Sequence, residues 1–195
     1  MAKGPRYRVP YRRRREAKTD YKARRVLATS ETPRFVVRPS GKNITIQLVK
    51  SKIEGDYVLT QANSRELDGY GWLGGKKNTP AAYLLGLLAG RRALKEGIEE
   101  ANLDLGLARP TKGSKVFAAV KGALDAGLQV PCDRDTLPEP GRVDGRTISD
   151  YAKGMEDPLE SERMFSGYFK RGLRPQGLHD HFNGVKTRIE EDQTI

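Results

Sequence analysis

The sequence predicts an α/β fold: a mixed β-sheet with packed helices in the order βββ-α-β-α, a basic N-terminal arm and a helical C-terminal extension. Three observations predict it. Short β-branched or alternating runs separated by turn residues follow one another between residues 35 and 60. Two apolar patterns of helical period come next, opening near residues 80 and 115. An alternating Leu103, Leu105, Leu107 lies between those helices. Strands first, then helices alternating with a strand, is the signature of a mixed sheet with helices on its face.

Phe35-Val36-Val37, flanked by Pro33 and Pro39, reads as a first strand. Ser40-Gly41-Lys42-Asn43 is turn chemistry. Ile44, Ile46 and Leu48 then alternate with Thr45, Gln47 and Val49, the period of a half-buried strand. Glu54-Gly55-Asp56 turns the chain into a third strand over Tyr57–Thr60, completing an antiparallel meander. A glycine-rich loop over 62–78 surrounds Trp72. Thr79-Pro80 opens a helix, Thr79 as N-cap and Pro80 at the first helical position. Leu84, Leu87, Leu88, Leu94 and Ile98 form its stripe toward the sheet, where Gly86 and Gly90 permit close approach.

The leucines at 103–107 make a fourth strand. A second helix starts at Ser114, buries Val116, Phe117, Val120 and Leu124, and stops at Gly127. Leu128-Gln129-Val130 forms a short fifth strand. Prolines and charges break regular structure from Pro131 to Asp144. Short helices follow over Thr147–Gly154 and Pro158–Arg171, and the polar last 20 residues are helical in part with an acidic tip.

Charge is placed unevenly. Residues 1–25 hold eleven Lys/Arg against Glu16 and Asp20, so they carry +9 of the net +11 and the other 170 residues only +2. A cationic arm on a nearly neutral body implies a polyanion partner. The arm has Pro5 and Pro10, no apolar period and interleaved tyrosines. It is expected to be largely disordered alone, with residues 12–28 turning helical once phosphates neutralise them. The sequence contains no apolar run of the length that spans a membrane, and its N-terminus has no secretory pattern. A single cysteine, Cys132, excludes an internal disulfide framework and fits a reducing, cytoplasmic setting. The division is an arm over 1–31, a core over 32–130 and an extension over 131–195.

Enzyme readings are weighed motif by motif. Gly69-Tyr70-Gly71-Trp72-Leu73-Gly74 matches G-x-G-x-x-G, but a dinucleotide fingerprint needs its helix to start on the glycines and an acid about 20 residues on. Here the helix waits until Thr79. The loop reads instead as backbone that lets something approach closely, and Trp72, Lys76 and Lys77 make that something RNA. His179-Asp180-His181, the only histidines, lack further ligands for zinc and read as a solvated helix start. Asp133 with Asp135, and Glu156 with Asp157, read as loop charge and helix N-terminal acids rather than a catalytic pair. The first strand contains no acid, and Cys132 has no histidine in a supporting context. The rivals carried are a nucleotide-cofactor-dependent enzyme using residues 69–74, a nuclease of similar fold, and a basic chaperone-like or membrane-surface module.

The arm carries the favoured reading. Arginines fork onto phosphate oxygens and tyrosines stack on unpaired bases. Gly4-Pro5-Arg6-Tyr7-Arg8-Val9-Pro10, then Arg12-Arg13-Arg14-Arg15-Glu16 and Thr19-Asp20-Tyr21, resemble the start of archaeal large-subunit ribosomal protein family eighteen. That is the 5S-rRNA-binding family whose eukaryotic counterpart is large-subunit protein five. The resemblance continues through Pro33-Arg34 and Tyr70-Gly71-Trp72, is strongest over Pro80–Gly90, and persists at Leu103–Leu107, Gly113–Ala118, Ala126-Gly127-Leu128, Arg146-Thr147-Ile148 and His181-Phe182.

It implies a ribonuclease-H-like core without nuclease acids, and no enzyme, cofactor, metal or small-molecule substrate. It also implies a structural role that wraps 5S rRNA in the central protuberance, ties it to 23S rRNA and meets neighbouring ribosomal proteins there. The net basic charge departs from acidic, salt-adapted members and implies an ordinary-salt cytoplasm. The RNA-binding residues expected are Arg6, Tyr7, Arg8, Tyr11, Arg12, Arg13, Arg14, Arg15, Lys18, Tyr21, Lys22, Arg24 and Arg25 in the arm, Trp72, Lys76 and Lys77 in the loop, and Lys170 and Arg171 in the extension.

Overall fold

The three β-rich runs pair as an antiparallel meander: β1 (Arg34–Pro39), β2 (Ile44–Lys52) and β3 (Gly55–Asn63). The computed structural model describes residues 4–192; Lys3 of the arm and the last three residues lie outside the described residues. A fourth strand, β4 (Asn102–Asp104), runs parallel to β1, giving the sheet order β3-β2-β1-β4. Alternation sorts the side chains. Phe35, Val37, Ile44, Ile46 and Leu48 point into the core, while Arg34 and Val36 point to the opposite face. A β-bulge between Leu48 and Val49 shifts the register against β3.

Helices fill the inner face. They are α3 (Thr79–Lys95) and α4 (Lys115–Asp125), preceded in the arm by α1 (Arg12–Arg15) and α2 (Tyr21–Thr29). The extension adds α5 (Pro140–Val143), α6 (Arg146–Lys153), α7 (Pro158–Met164), α8 (Ser166–Phe169) and α9 (Leu178–Glu191). α3 is buried on nearly every side, from Pro80 through Gly90 and at Ala93. The sheet covers one side, α4 another and α9 a third. That explains its apolar composition and corrects the single stripe expected from sequence. Leu94 is 37% exposed and Ile98 lies beyond the helix end. The N-cap is Asn78, whose carboxamide oxygen accepts from the Ala81 amide at 2.9 Å, rather than Thr79, so Pro80 takes the second helical position instead of the first.

The glycines of α3 serve the helix–helix contact and not the sheet. A Cβ added at Gly86 would fall 1.9 Å from the Ala119 carbonyl oxygen, and one at Gly122 of α4 would fall 2.1 Å from that of Tyr83. Because Gly86 meets Ala119 and Gly90 meets Ala123, the two helices run in the same direction. Tyr83 secures the layer: its hydroxyl donates to Asp125 at 2.6 Å and its ring packs on Phe182 of α9. Burial first, and then Asp125, pushes that hydroxyl's pKa up.

Elsewhere the chain departs from its pattern for local reasons. β4 stops after Asp104 because Gly106 turns at φ +60° and its amide donates to Asp104 Oδ1 at 2.8 Å. Leu105 therefore lies past the strand and Leu107 is 60% exposed. The fifth strand reduces to one parallel bridge, Glu100 with Gln129. The proline-rich stretch holds a 3-10 turn, Arg134–Thr136, and α5. The single helix expected over 158–171 breaks at Phe165 into α7 and α8. The arm likewise forms two helices, because Ala17 turns at φ 49° and Asp20 caps a new helix on the Lys22 and Ala23 amides. Gly127 ends α4 as expected, at φ +104°.

The α3–α4 contact sets a stability test. Gly86→Ala is expected to cost about 3 kcal/mol and to lower Tm by roughly 10 °C, because backbone must move to admit the methyl group. Gly184→Ala in α9, where nothing lies within 4 Å of an added Cβ, should instead stabilise by about 0.5 kcal/mol. Thermal unfolding of both variants checks the pair.

Candidate nucleic-acid interface

The arm folds back across the outer face of the sheet. Over this face lies a cleft of about 570 Å³, lined by Arg13, Lys18 and Arg24 from the arm and by Arg34, Arg38 and Asp104 from the sheet. Arg34 is 4% exposed, and its guanidinium lies 3.2 Å from Asp104 and 2.8 Å from Asp56. Arg38 bonds the other Asp104 oxygen at 2.9 Å, and Arg24 of α2 reaches Asp56 at 3.0 Å. Two carboxylates thus join three arginines and pin α2 to the sheet. Burial alone would raise both carboxyls. At Asp104 the Arg38 hydrogen bond and charge, the Gly106 amide and Arg34 outweigh it. At Asp56 Arg34, Arg24 and the Ser51 hydroxyl do so, and both pKa values fall below the usual 3.8. Arg34 and Arg38 were not among the expected residues, although their even positions on β1 place them on one outward face, with Arg38 at the cleft.

Most of the arm's other residues stand clear. Arg6, Tyr7, Arg8, Tyr11, Arg12, Arg14 and Arg15 are exposed, as are Lys22 and Arg25. Arg13 donates to the Thr19 hydroxyl at 2.8 Å, and Lys18 pairs with Glu16 at 2.9 Å. Tyr11, 81% exposed, faces half-buried Tyr21 with ring centroids 6.4 Å apart.

The glycine loop is occupied from within, which corrects its reading as backbone open to RNA. Trp72 is 1% exposed and stacks on His181 of α9 at 5.3 Å, so no face of its ring is free for a base. A Cβ at Gly74 would fall 2.2 Å from the Trp72 ring, and one at Gly71 would fall 2.5 Å from Arg188. Arg188 donates to the Tyr70 carbonyl at 2.9 Å, the Leu73 amide donates to His181 Nε2 at 3.0 Å, and the Tyr70 hydroxyl donates to Asp192 at 2.8 Å. Burial and then Asp192 raise the Tyr70 pKa to about 12. Arg171 donates to the Gly74 carbonyl at 2.7 Å and lies over Tyr168, while Lys170 is exposed. Lys76 pairs with Asp68, and Lys77 reaches the Gly41 carbonyl at 3.4 Å. Gly71 is therefore a seat for Arg188 of the extension, and Gly74 makes room for the loop's own Trp72.

His179 and His181 do not converge. His179 approaches Asp144 and Asn183, whereas His181 serves Trp72 and Leu73, so the solvated helix start expected here holds α9 to the loop. Asp133 caps the Arg134–Thr136 turn and Asp157 caps α7, as helix-start acids do. Among the described residues no group of three or more His, Cys, Asp or Glu is placed to hold a metal ion, and no helix is long and apolar enough to cross a membrane.

Burial and then the Arg188 charge push the His181 imidazole below its usual 6.5. The unfolded chain therefore takes up this proton first. The stability that neutral His181 contributes is present above pH 6.5 and is lost as pH falls through the lowered folded value. His181→Gln should flatten that segment of the stability–pH curve, leaving the later loss below pH 3.8 from Asp56 and Asp104. Chemical denaturation at a series of pH values reads both; identical curves for the two proteins would refute the role of His181.

Comparison with known proteins finds sequence relatives that span nearly the whole chain. The family described as "Ribosomal large subunit proteins 60S L5, and 50S L18" matches residues 5–101 and 95–133. The large ribosomal subunit protein uL18 of Thermofilum pendens is 52% identical over 193 residues, covering 98% of each chain. That of Staphylothermus marinus is 51% identical over 98% of this chain and 96% of its own. That of Methanothermobacter thermautotrophicus is 49% identical over 98% of this chain and 100% of its own. Identity of this depth and coverage, on a chain whose arm presents a row of free cations, establishes that the protein belongs to the uL18 family of large-subunit ribosomal proteins.

Proposed function

We propose that this protein, a structural constituent of the large ribosomal subunit and not an enzyme, binds 5S rRNA through its arm and attaches it to 23S rRNA in the central protuberance. The observation that carries the reading is the division of labour among the arm's cations. Arg24 is engaged with Asp56 and orients α2, while Arg6, Arg8, Arg12, Arg14, Arg15, Lys22 and Arg25 face solvent. Engaged cations fix the arm's direction, and free ones neutralise phosphates. Tyr7 and Tyr11 supply exposed rings for unpaired bases, each stacked base contributing roughly 1–3 kcal/mol. Lys18, Tyr21, Arg13 and Lys170 lie within reach of a strand laid along the arm or the extension, and Lys76 and Lys77 mark a further contact. Buried Trp72 and internally bonded Arg171 act by positioning the loop rather than by touching RNA.

The sheet order β3-β2-β1-β4 supports reading the core, residues 32–130, as ribonuclease-H-like. Its β1 carries arginines and no acid, which speaks against a nuclease of that type. In this reading residues 1–31 are the RNA-binding arm. Residues 131–195 are the extension that locks the glycine loop and meets neighbouring proteins of the protuberance.

The test replaces Arg12, Arg13, Arg14 and Arg15 by Gln, because truncation through residue 25 would also remove Arg24 and uncover Arg34. Binding of a labelled 5S rRNA transcript across a salt series should lose about 0.7–0.9 of logarithmic slope for each phosphate contact removed, or roughly three units in all. An unchanged slope, or no salt-dependent binding by the native protein, would overturn the reading.

A further inference from the structure

A second cleft, of about 580 Å³, shares no lining residue with the one under the arm. Five basic side chains line it and no acidic one does: Lys42, Lys76, Lys77, Lys115 and Arg142. They come from four separate stretches of chain. Lys42 sits in the β1–β2 turn, Lys76 and Lys77 precede α3, Lys115 opens α4 and Arg142 lies in α5. Parallel packing of α3 on α4 is what brings their two starting points together here.

Four arginines elsewhere, Arg34, Arg38, Arg92 and Arg146, are each matched with an acid. In this cleft Lys42, Lys115 and Arg142 are exposed and, among the described residues, form no side-chain hydrogen bond or ion pair. Uncompensated like charges on a concave surface reinforce one another's potential and attract a polyanion. The start of α3 does not supply the donors, since Asn78 already caps it. No aromatic ring lines the cleft, so nothing there is built to stack on a base.

We propose that this cleft is a second RNA-backbone site, gripping phosphodiesters of the same 5S rRNA that the arm holds. The inference rests on the 5S rRNA reading above. It adds that the arm, with its tyrosines, meets unpaired bases, whereas the cleft reads backbone alone. Two grips on separate surfaces fix the orientation of the body on the RNA and raise the effective concentration of each for the other.

The experiment compares the full chain with its K42Q/K115Q/R142Q variant. The charge-conserving K42R/K115R/R142K variant serves as control, and labelled 5S rRNA is titrated over a salt series. The neutralised variant should bind at least about tenfold more weakly at physiological salt, with a slope shallower by two to three units, while the control keeps the native slope. Thermal unfolding should stay native-like in both, because none of the three side chains has a partner to lose. Native affinity and slope in the neutralised variant would overturn the proposal. If the arm variant still loses slope in that experiment, the 5S rRNA reading survives and only the cleft falls. Native RNA binding combined with lost capture of polyglutamate would assign the cleft to an acidic protein segment instead, and would equally overturn the proposal.

Discussion

The close passage of α3 against α4 is the constraint on which the remaining architecture hangs. Gly86 and Gly122 carry no side chain where the two backbones meet, and any Cβ there would overlap a carbonyl oxygen. With the helices this close and pointing the same way, both lie on the inner face of a four-stranded sheet, and α9 covers α3 from the remaining side. Leu178, Phe182, Val185 and Ile189 are the buried stripe by which α9 does so. One consequence is geometric: Lys115 at the start of α4 is carried to the start of α3, beside Lys76 and Lys77. Another is that the helices leave the outer face of the sheet to the arm.

On that outer face electrostatics does what apolar packing does inside. Arg34 is too buried to be left unpaired, and breaking a buried pair from one side typically costs about 3–5 kcal/mol. Asp104 and Asp56 meet that demand, and Asp56 extends the same network to Arg24 on α2. The cationic arm is therefore two things in sequence. Its second helix is tied to the domain, and its first presents four arginines to solvent. A polyanion arriving at Arg12–Arg15 meets a row whose direction the domain has already set, so less ordering entropy opposes binding than a free tail would face.

The glycine loop shows why a motif has to be judged by its surroundings. Residues 69–74 have the spacing of a nucleotide-binding turn, yet their glycines make room for the Trp72 ring and the Arg188 guanidinium. The Leu73 amide, which could have faced a phosphate, instead donates to His181, and the Tyr70 and Gly74 carbonyls accept from Arg188 and Arg171. All three come from the extension, which lies about 100 residues further along the chain. Pairing at that separation leaves no trace in local pattern.

Local chemistry determined much of this protein. The meander follows from β-branched alternation with Gly-containing turns, α4 from its apolar period and Gly127, and the asymmetry of charge from counting. Resemblance across ordered blocks pointed to the ribosomal family that the comparisons identify. Tertiary structure decided what depends on partners far away in sequence. Asp104 is buried more deeply than Leu103 and Leu105 beside it because Arg34 and Arg38 neutralise it. Trp72 is sealed in because His181 covers it, and α3 is apolar all round because three layers meet on it. Unpaired Lys42, Lys115 and Arg142 converge only after the helices pack. Periodicity reports which face of a segment is apolar, but burial and pairing belong to the assembled surfaces, and these exist only once the chain has folded.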